Sequence, residues 1–447
     1  MMDTIAPTQR EAATASVSGS DLGPEPAWLQ SLREKAKMRL GEIGFPTTAL
    51  EEWRFTNVAP LQQWALHAAS PAARRIGRAD IEPFLLARDG YCLVFVDGQF
   101  RQDLSNLPSQ GASLKAGSLH SYWNAEGREL ENNLGRHAHF DENYFTALNT
   151  AGFQDGAFVA AVANAIVEQP IQLLYVAASE RPHAVVHARN LLVAHHSSSL
   201  KIIETYASLT DAPHFTNAVT EVVLGPDARL EHCKLQNENE NAFHISWTQA
   251  VQARNSRWLS HSIATGARLA RNQIQTLLNS EGAEGVLNGL YFARGQQLID
   301  HHTVVDHAQP RCESHEFYYG ILSDRAHGVF NGKIFVRQDA QKTNAKQTNR
   351  NLVLSETALI NTKPQLEIFA DDVKCTHGAT VGQLNEEALF YLRARGIGVD
   401  LARRMLVRAF ANDAVERITP AAVRHHLEKL LSARFEGLNT SVSSHGQ

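Results

Sequence analysis

The chain has 447 residues, 43% of them hydrophobic, with a formal net charge of -5 and a sequence pI ≈ 6.5. At roughly 150 residues per domain, that length suggests two to four domains. The acidic balance provides no basic field for nucleic-acid binding, and no apolar run reaches the ~18–20 residues of a membrane span.

Residues 1–25 are rich in Ala, Ser, Thr, Pro and Gly. They lack the apolar core of a signal peptide and read as a disordered tail. Cys92, Cys233, Cys312 and Cys375 form no CxxC pair and no small disulfide framework, which fits a reducing, cytoplasmic setting.

Region 26–160 opens with a helix. Trp28, Leu29, Leu32, Ala36 and Leu40 recur at helical spacing before Gly41. Further on, Cys92-Leu93-Val94-Phe95-Val96 reads as a buried strand running into the turn Asp97-Gly98. The region is therefore mixed α and β.

Region 161–380 is mainly β. Short apolar runs such as Leu191–Ala194, Val219–Leu224 and Gly332–Val336 alternate with Gly, Asn and Asp turns. Small units return irregularly, among them Asp227-Ala228-Arg229-Leu230, Gly266-Ala267-Arg268-Leu269 and Asp324-Arg325-Ala326-His327. Asn-Gly occurs at 288–289 and 331–332, but its flanks form no clear meander. Stacked strands turning always the same way, a parallel β-helix, explain the pattern; a β-sandwich or cupin-like barrel is the alternative.

Region 381–447 is helical. Asn385 is a cap with Glu386 and Glu387 in the first turn. Ala402, Met405, Leu406, Ala409 and Phe410 form one amphipathic stripe, and Val423, Leu427, Leu430 and Leu431 another, after the cap Thr419-Pro420. Such helices either cap the hydrophobic end of a β body, the commoner outcome, or present an apolar face to a partner.

The sharpest chemical unit is Val373-Lys374-Cys375-Thr376-His377-Gly378. Residues two apart on a strand face one side, so Cys375 and His377 present a thiolate and an imidazole together. Both suit iron or an iron–sulfur cluster. Two ligands cannot close a tetrahedral site, so others must come from elsewhere in the fold or from another chain. The structural alternative is a buried Cys beside a hydrogen-bonded His.

A second cluster, Asp300-His301-His302 through His307, with His315 beyond, has the composition of a metal-binding loop. On a straight strand His301 and His307 share a face, although the outer face of a β-helix carries such residues routinely. His195-His196 and His183/His187 are weaker candidates. The amide-rich run Arg337–Arg350 reads as a solvated loop or an exposed partner surface. No GxxxxGK[ST], dinucleotide fingerprint or GxSxG elbow is present. No motif marks the carboxylate-lined cleft of a stand-alone β-helical carbohydrate-active enzyme, which stands as the functional alternative.

Five segments together carry a resemblance: Glu52-Trp53-Arg54-Phe55-Thr56, Phe330-Asn331-Gly332-Lys333-Ile334, Gln347-Thr348-Asn349-Arg350-Asn351-Leu352, Leu366 through Gly382, and Phe390-Tyr391-Leu392-Arg393-Ala394-Arg395-Gly396-Ile397. In this order and spacing they resemble the SufB/SufD family of iron–sulfur cluster assembly proteins. SufB-type chains are expected to carry Glu after the histidine matching His377, where this chain has Gly378. The resemblance is therefore to the SufD branch. It implies a right-handed parallel β-helix between helical terminal regions. It implies a non-catalytic, cytoplasmic scaffold subunit, forming a heterodimer with a SufB-like chain through the β-helix and docking a SufC-like ABC ATPase on its C-terminal helices. ATP-driven dimerisation of that ATPase would strain the subunit interface and expose the nascent-cluster site. His377 carries over as the interface residue that binds the cluster or its iron, and Cys375 as its neighbour. The cluster or iron is then transient and shared with the partner, and none is held tightly by the isolated chain. The free strand edge also suits a homodimer.

Overall fold

The computed structural model describes residues 25–69, 75–108 and 113–436. The proposed disordered tail, residues 1–25, lies almost wholly outside them.

The core is a parallel β-solenoid of about 8 turns. Its regular part comprises β1 (Ala184–Ala194), β2 (Ser199–Ser208), β3 (His214–Leu224), β4 (Arg229–Asn237), β5 (Phe243–Gln252), β6 (Arg257–Ala264) and β7 (Leu269–Leu278). It continues through β8 (Glu284–Ala293), β9 (Leu298–His307), β10 (Glu313–Leu322), β11 (His327–Val336), β12 (Asn344–Val353), β13 (Leu359–Ile368) and β14 (Lys374–Gly382). Odd strands form one sheet and even strands the other. Each pairs in parallel with the strand one coil on: Ser199 with Arg229, Arg229 with Arg257, Asn344 with Lys374.

Two sequence features drive this winding. First, like side chains stack in register inside the solenoid. Phe95, Tyr175 and Tyr206 are partners in successive coils, with ring centroids 4.7 and 5.1 Å apart. Second, one corner repeats a left-handed residue: Ser197, Asp227, Asn255, Gly282, Arg311 and Lys342 all have positive φ. Their N–H groups bond up the ladder, Asp227 to the Arg254 carbonyl at 2.8 Å and Arg311 to the Gln341 carbonyl at 2.9 Å. The small units that recur irregularly in the sequence fall at two different corners, since Asp227 lies where the chain passes from the odd sheet to the even one, and Ala267 and Asp324 where it passes from even to odd. That division loosens the apparent repeat.

The two Asn-Gly pairs are not hairpin turns; they lie inside β8 and β11. A Cβ on Gly289 would stand 2.1 Å from the Tyr318 ring, so glycine is needed there for close approach inside the coil.

The N-terminal region is continuous with the solenoid. Strand Tyr91–Val96 pairs in parallel with Ile171–Ala177 and extends the even sheet, while Leu114–Ser118 lies antiparallel to Gly156–Ala161 on the odd one. Helices α1 (Ala27–Ile43) and α2 (Tyr144–Gly152) cover the outside of the odd sheet. Helices α3 (Glu386–Ala394), α4 (Val399–Val415) and α5 (Ala421–Glu436) follow the last coil.

The C-terminal helices do not cap the solenoid end. Helices α4 and α5 lie along the flank of the even sheet, because its outer face carries Ile203, Leu235, Ile263, Leu290, Phe292, Tyr319 and Ile321. The buried residues of α4 are Ala402, Val407, Ala411, Ala414 and Val415; of the expected stripe, Ala402 is buried, Leu406 and Phe410 are half-buried, and Met405 and Ala409 are exposed. Helix α4 is apolar on more than one face, and the sheet takes up part of the expected stripe, with Phe410 edge-on to Tyr319 at 5.7 Å between ring centroids, together with Val407, Ala411, Ala414 and Val415 beside it. Asn385 caps α3 as expected, accepting from the Ala388 N–H at 2.8 Å. Thr419 instead donates its hydroxyl to Glu231 of β4.

Candidate functional site

Strand β14 is the last rung of the even sheet and pairs with β12 alone. Its register sets Cys375 beside Ala345 and His377 beside Gln347. Ala345 and Gln347 are buried inside the solenoid, so Cys375 and His377 share the inward-facing side of an uncovered coil. Cys375 is half-buried against Ile334, Val336 and Ala345, whereas His377 is exposed. Burial pushes the Cys375 thiol above its ordinary value, so a nearby cation or metal is needed to make it a thiolate at neutral pH.

Around this pair the coil stays open. Nearly every residue of β14 is exposed, and β13, which pairs only with β11, is no more than half-buried. Leu359, Phe369 and Val381 are large exposed apolar side chains on or beside these strands. An open strand edge with apolar side chains is a template for another chain. A second exposed apolar patch comprises Phe390, Tyr391, Leu401 and Met405 on α3 and α4, at 72%, 55%, 50% and 42% exposure.

The histidines of β9 do not form a metal site. His301 and His307 do face inward together, but six residues along one strand separate them by roughly 20 Å. His301 lies 3.1 Å from the Ser262 hydroxyl and stacks on Tyr291; His307 lies 2.8 Å from the Ser314 hydroxyl. Burial pushes both imidazoles down to about 3, which keeps them neutral. His302 faces outward, 3.1 Å from Asp300 and 3.2 Å from Glu52. Among the described residues no group of three or more His, Cys, Asp or Glu is arranged to hold a metal ion.

Glu52-Trp53-Arg54-Phe55-Thr56 is a clamp between the N-terminal region and the odd sheet. The Arg271 guanidinium lies 4.0 Å from the Trp53 ring centroid and 2.5 Å from Asp300, which also accepts from the Thr56 hydroxyl at 2.5 Å.

The amide-rich run departs from its solvated reading. Within β12, Gln347, Asn349 and Asn351 are all buried. Asn351 donates to Asn349 at 2.6 Å, and Tyr291 donates to Asn351 at 2.5 Å. Strand alternation sends these amides inward while Lys346 and Arg350 face solvent.

Sequence reasoning missed a second buried polar array. Glu204 accepts from Tyr206, Thr220 and His232, and Lys234 donates to Asn272 at 2.9 Å. Glu238 accepts from Thr216 and Gln236 and pairs with His214 and His244. Burial pushes the Glu204 carboxyl up, but the His232 hydrogen bond and the charges of His232 and Lys234 outweigh it and hold the group at about 2. The one available signal was charge at inward positions of otherwise apolar strands, as in Ile202-Ile203-Glu204-Thr205-Tyr206.

Comparison with known families accounts for nearly the whole chain. Residues 24–173 match the SufBD protein N-terminal region, and residues 175–410 match the SufBD core domain of the SUF system for FeS cluster assembly. The chain belongs to the SufBD family. A Synechocystis iron–sulfur cluster assembly SufBD family protein is 34% identical, over 92% of each chain. The iron–sulfur cluster assembly protein SufD of Escherichia coli is 31% identical, over 89% of this chain and 91% of that protein. SufD of Bacillus subtilis is 28% identical, over 94% and 97%. Membership in the SufBD family assigns the chain to iron–sulfur cluster assembly and removes the motive for the glycan-processing alternative. No helix among the described residues of this SufBD protein is long and apolar enough to cross a membrane.

Proposed function

We propose that this chain is a non-catalytic, SufD-type scaffold subunit that pairs with a SufB-like subunit through β13 and β14 and completes a nascent-cluster site at the junction. One observation carries the reading: Cys375 and His377 share a face of the last, singly paired strand. Each chain then supplies too few ligands to hold iron alone, and the ligand set closes only across the pair. His377 is the iron ligand from this chain, and Cys375 is a second, ionised on contact with the metal. The cluster is cargo, held transiently.

A SufC-like ABC ATPase docks on the exposed face of α3 and α4. Phe390, Tyr391, Leu401 and Met405 are the side chains that fit such an interface, because they leave a substantial apolar surface uncovered. ATP-driven dimerisation of the ATPase pulls on the pair and opens the coil junction. In isolation the same open coil joins two copies of this chain. The four free thiols suit a cytoplasmic, reducing setting.

The test is anaerobic reconstitution of the complex with iron and sulfide. His377→Ala is expected to lower cluster formation at least tenfold while leaving co-purification with both partners intact. Cluster formation at the wild-type level in that variant would remove His377 from the site.

A further inference from the structure

Directly behind His377, one coil further in, lies a column of polar side chains that none of the roles above uses. The even-sheet register runs Leu287, Glu316, Gln347, His377. Adjacent strands are about 4.8 Å apart, so Gln347 is within side-chain reach of His377. Gln347 is 1% exposed and Glu316 fully buried. The Gln347 amide donates through Nε2 to Glu316 Oε2. Its other end, Oε1, is buried and has no hydrogen-bond partner among the described residues. The amide is also wedged in place: a Cβ on Gly332 would stand 2.3 Å from Gln347 Nε2. That glycine leaves the space the amide occupies.

A buried carbonyl oxygen without a donor needs an explanation. The next rung outward carries a group able to donate, His377, since an imidazole that binds iron through one nitrogen keeps an N–H on the other. Histidine ligands are regularly oriented by such an acceptor, which fixes the tautomer and aims the lone pair.

We propose that Gln347, clamped by Glu316, is the positioning residue for His377: its Oε1 accepts the imidazole N–H once a partner chain covers the open coil. Glu316 acts at one remove, by holding the amide with its oxygen outward. Burial also pushes the Glu316 carboxyl up to about 7, consistent with a group withdrawn from water for a structural task. The proposal rests on the ligand role of His377 given above, and its test separates the two.

The complex of this chain with its SufB-like and SufC-like partners is assembled in three variants, Gln347→Met, Glu316→Leu and Glu316→Gln. Before iron is added, the ring nitrogens of His377 are read by nitrogen-15 NMR, assigned by difference against His377→Ala. After reconstitution, the rate of cluster loss to a chelator is measured. The wild type should show one neutral tautomer. Gln347→Met should mix the tautomers and speed cluster loss about tenfold. Glu316→Leu should do so about threefold, and Glu316→Gln, which keeps an acceptor for the amide, should restore a single tautomer. If Gln347→Met lowers the melting temperature, Gln347→Asn, whose shorter side chain withdraws the acceptor, takes its place with the same expectation. A single tautomer and unchanged cluster loss in Gln347→Met or Gln347→Asn overturns the proposal. Normal cluster retention in His377→Ala overturns the ligand role instead, and the tautomer still decides whether Gln347 holds the ring.

Discussion

The two ends of the solenoid are built from the same rungs and finished differently. At the first end, Leu93, Phe95, Leu114 and Ala116 close over the interior, and β1 is buried along almost its whole length. At the last end, β13 and β14 keep the strand geometry and register, but among the described residues β13 is no more than half-buried and β14 is exposed along nearly its whole length, while α4 and α5 lie on the flank. A solenoid gains stability from contacts between neighbouring rungs, so an end rung is the weakest part of the array. Leaving one end open sacrifices stability there and keeps a template for a second chain.

Three substitutions break or sharpen that contrast. Trp258 on β6 is fully buried in the interior stack, so Trp258→Ala should cost about 3–5 kcal/mol, read as a lower denaturation midpoint. The interior polar array gives a pH signature. The Glu204 carboxyl stands at about 2, against an ordinary 4.5. A carboxyl depressed on folding contributes stability that is fully present above about pH 4.5 and lost as pH falls toward 2. That loss is on the order of 3 kcal/mol, and Glu204→Gln should flatten this part of the pH–stability curve. The open end should respond least in the isolated chain: Val381→Ser on β14 should change stability by no more than about 0.5 kcal/mol, yet weaken pairing in a sedimentation assay. A large destabilisation by Val381→Ser would mean that the last rung is not an open surface.

Much of this was legible in the sequence. The strand–turn grammar pointed to stacked coils, and the spacing of Cys375 and His377 set both on one face. Asn385, Val423, Leu427 and Leu431 behaved as their pattern required. Other features depended on contacts across coils. Gln347 and Asn349 read as solvent-facing because amides usually are; only the register with Glu316 and Tyr318 shows them inside. His301 and His307 looked like a ligand pair because sequence proximity hides the length of an extended strand. The α4 stripe was only partly right, Ala402 and Phe410 packing inward but Met405 and Ala409 not, because the helix is apolar on more than one face and the contact surface is set by Tyr319 and Ile321 about a hundred residues away. Parity along a strand is local information, whereas the neighbour on the next coil is some 30 residues off and can be identified only once the winding is known.

The central claim is that β13 and β14 form an unfinished end that a partner chain completes. Hydrogen–deuterium exchange of residues 374–382, alone and with the SufB-like subunit, tests it most directly. Fast exchange in the isolated chain and strong protection in the pair is the expected result; equal exchange in both states would contradict it.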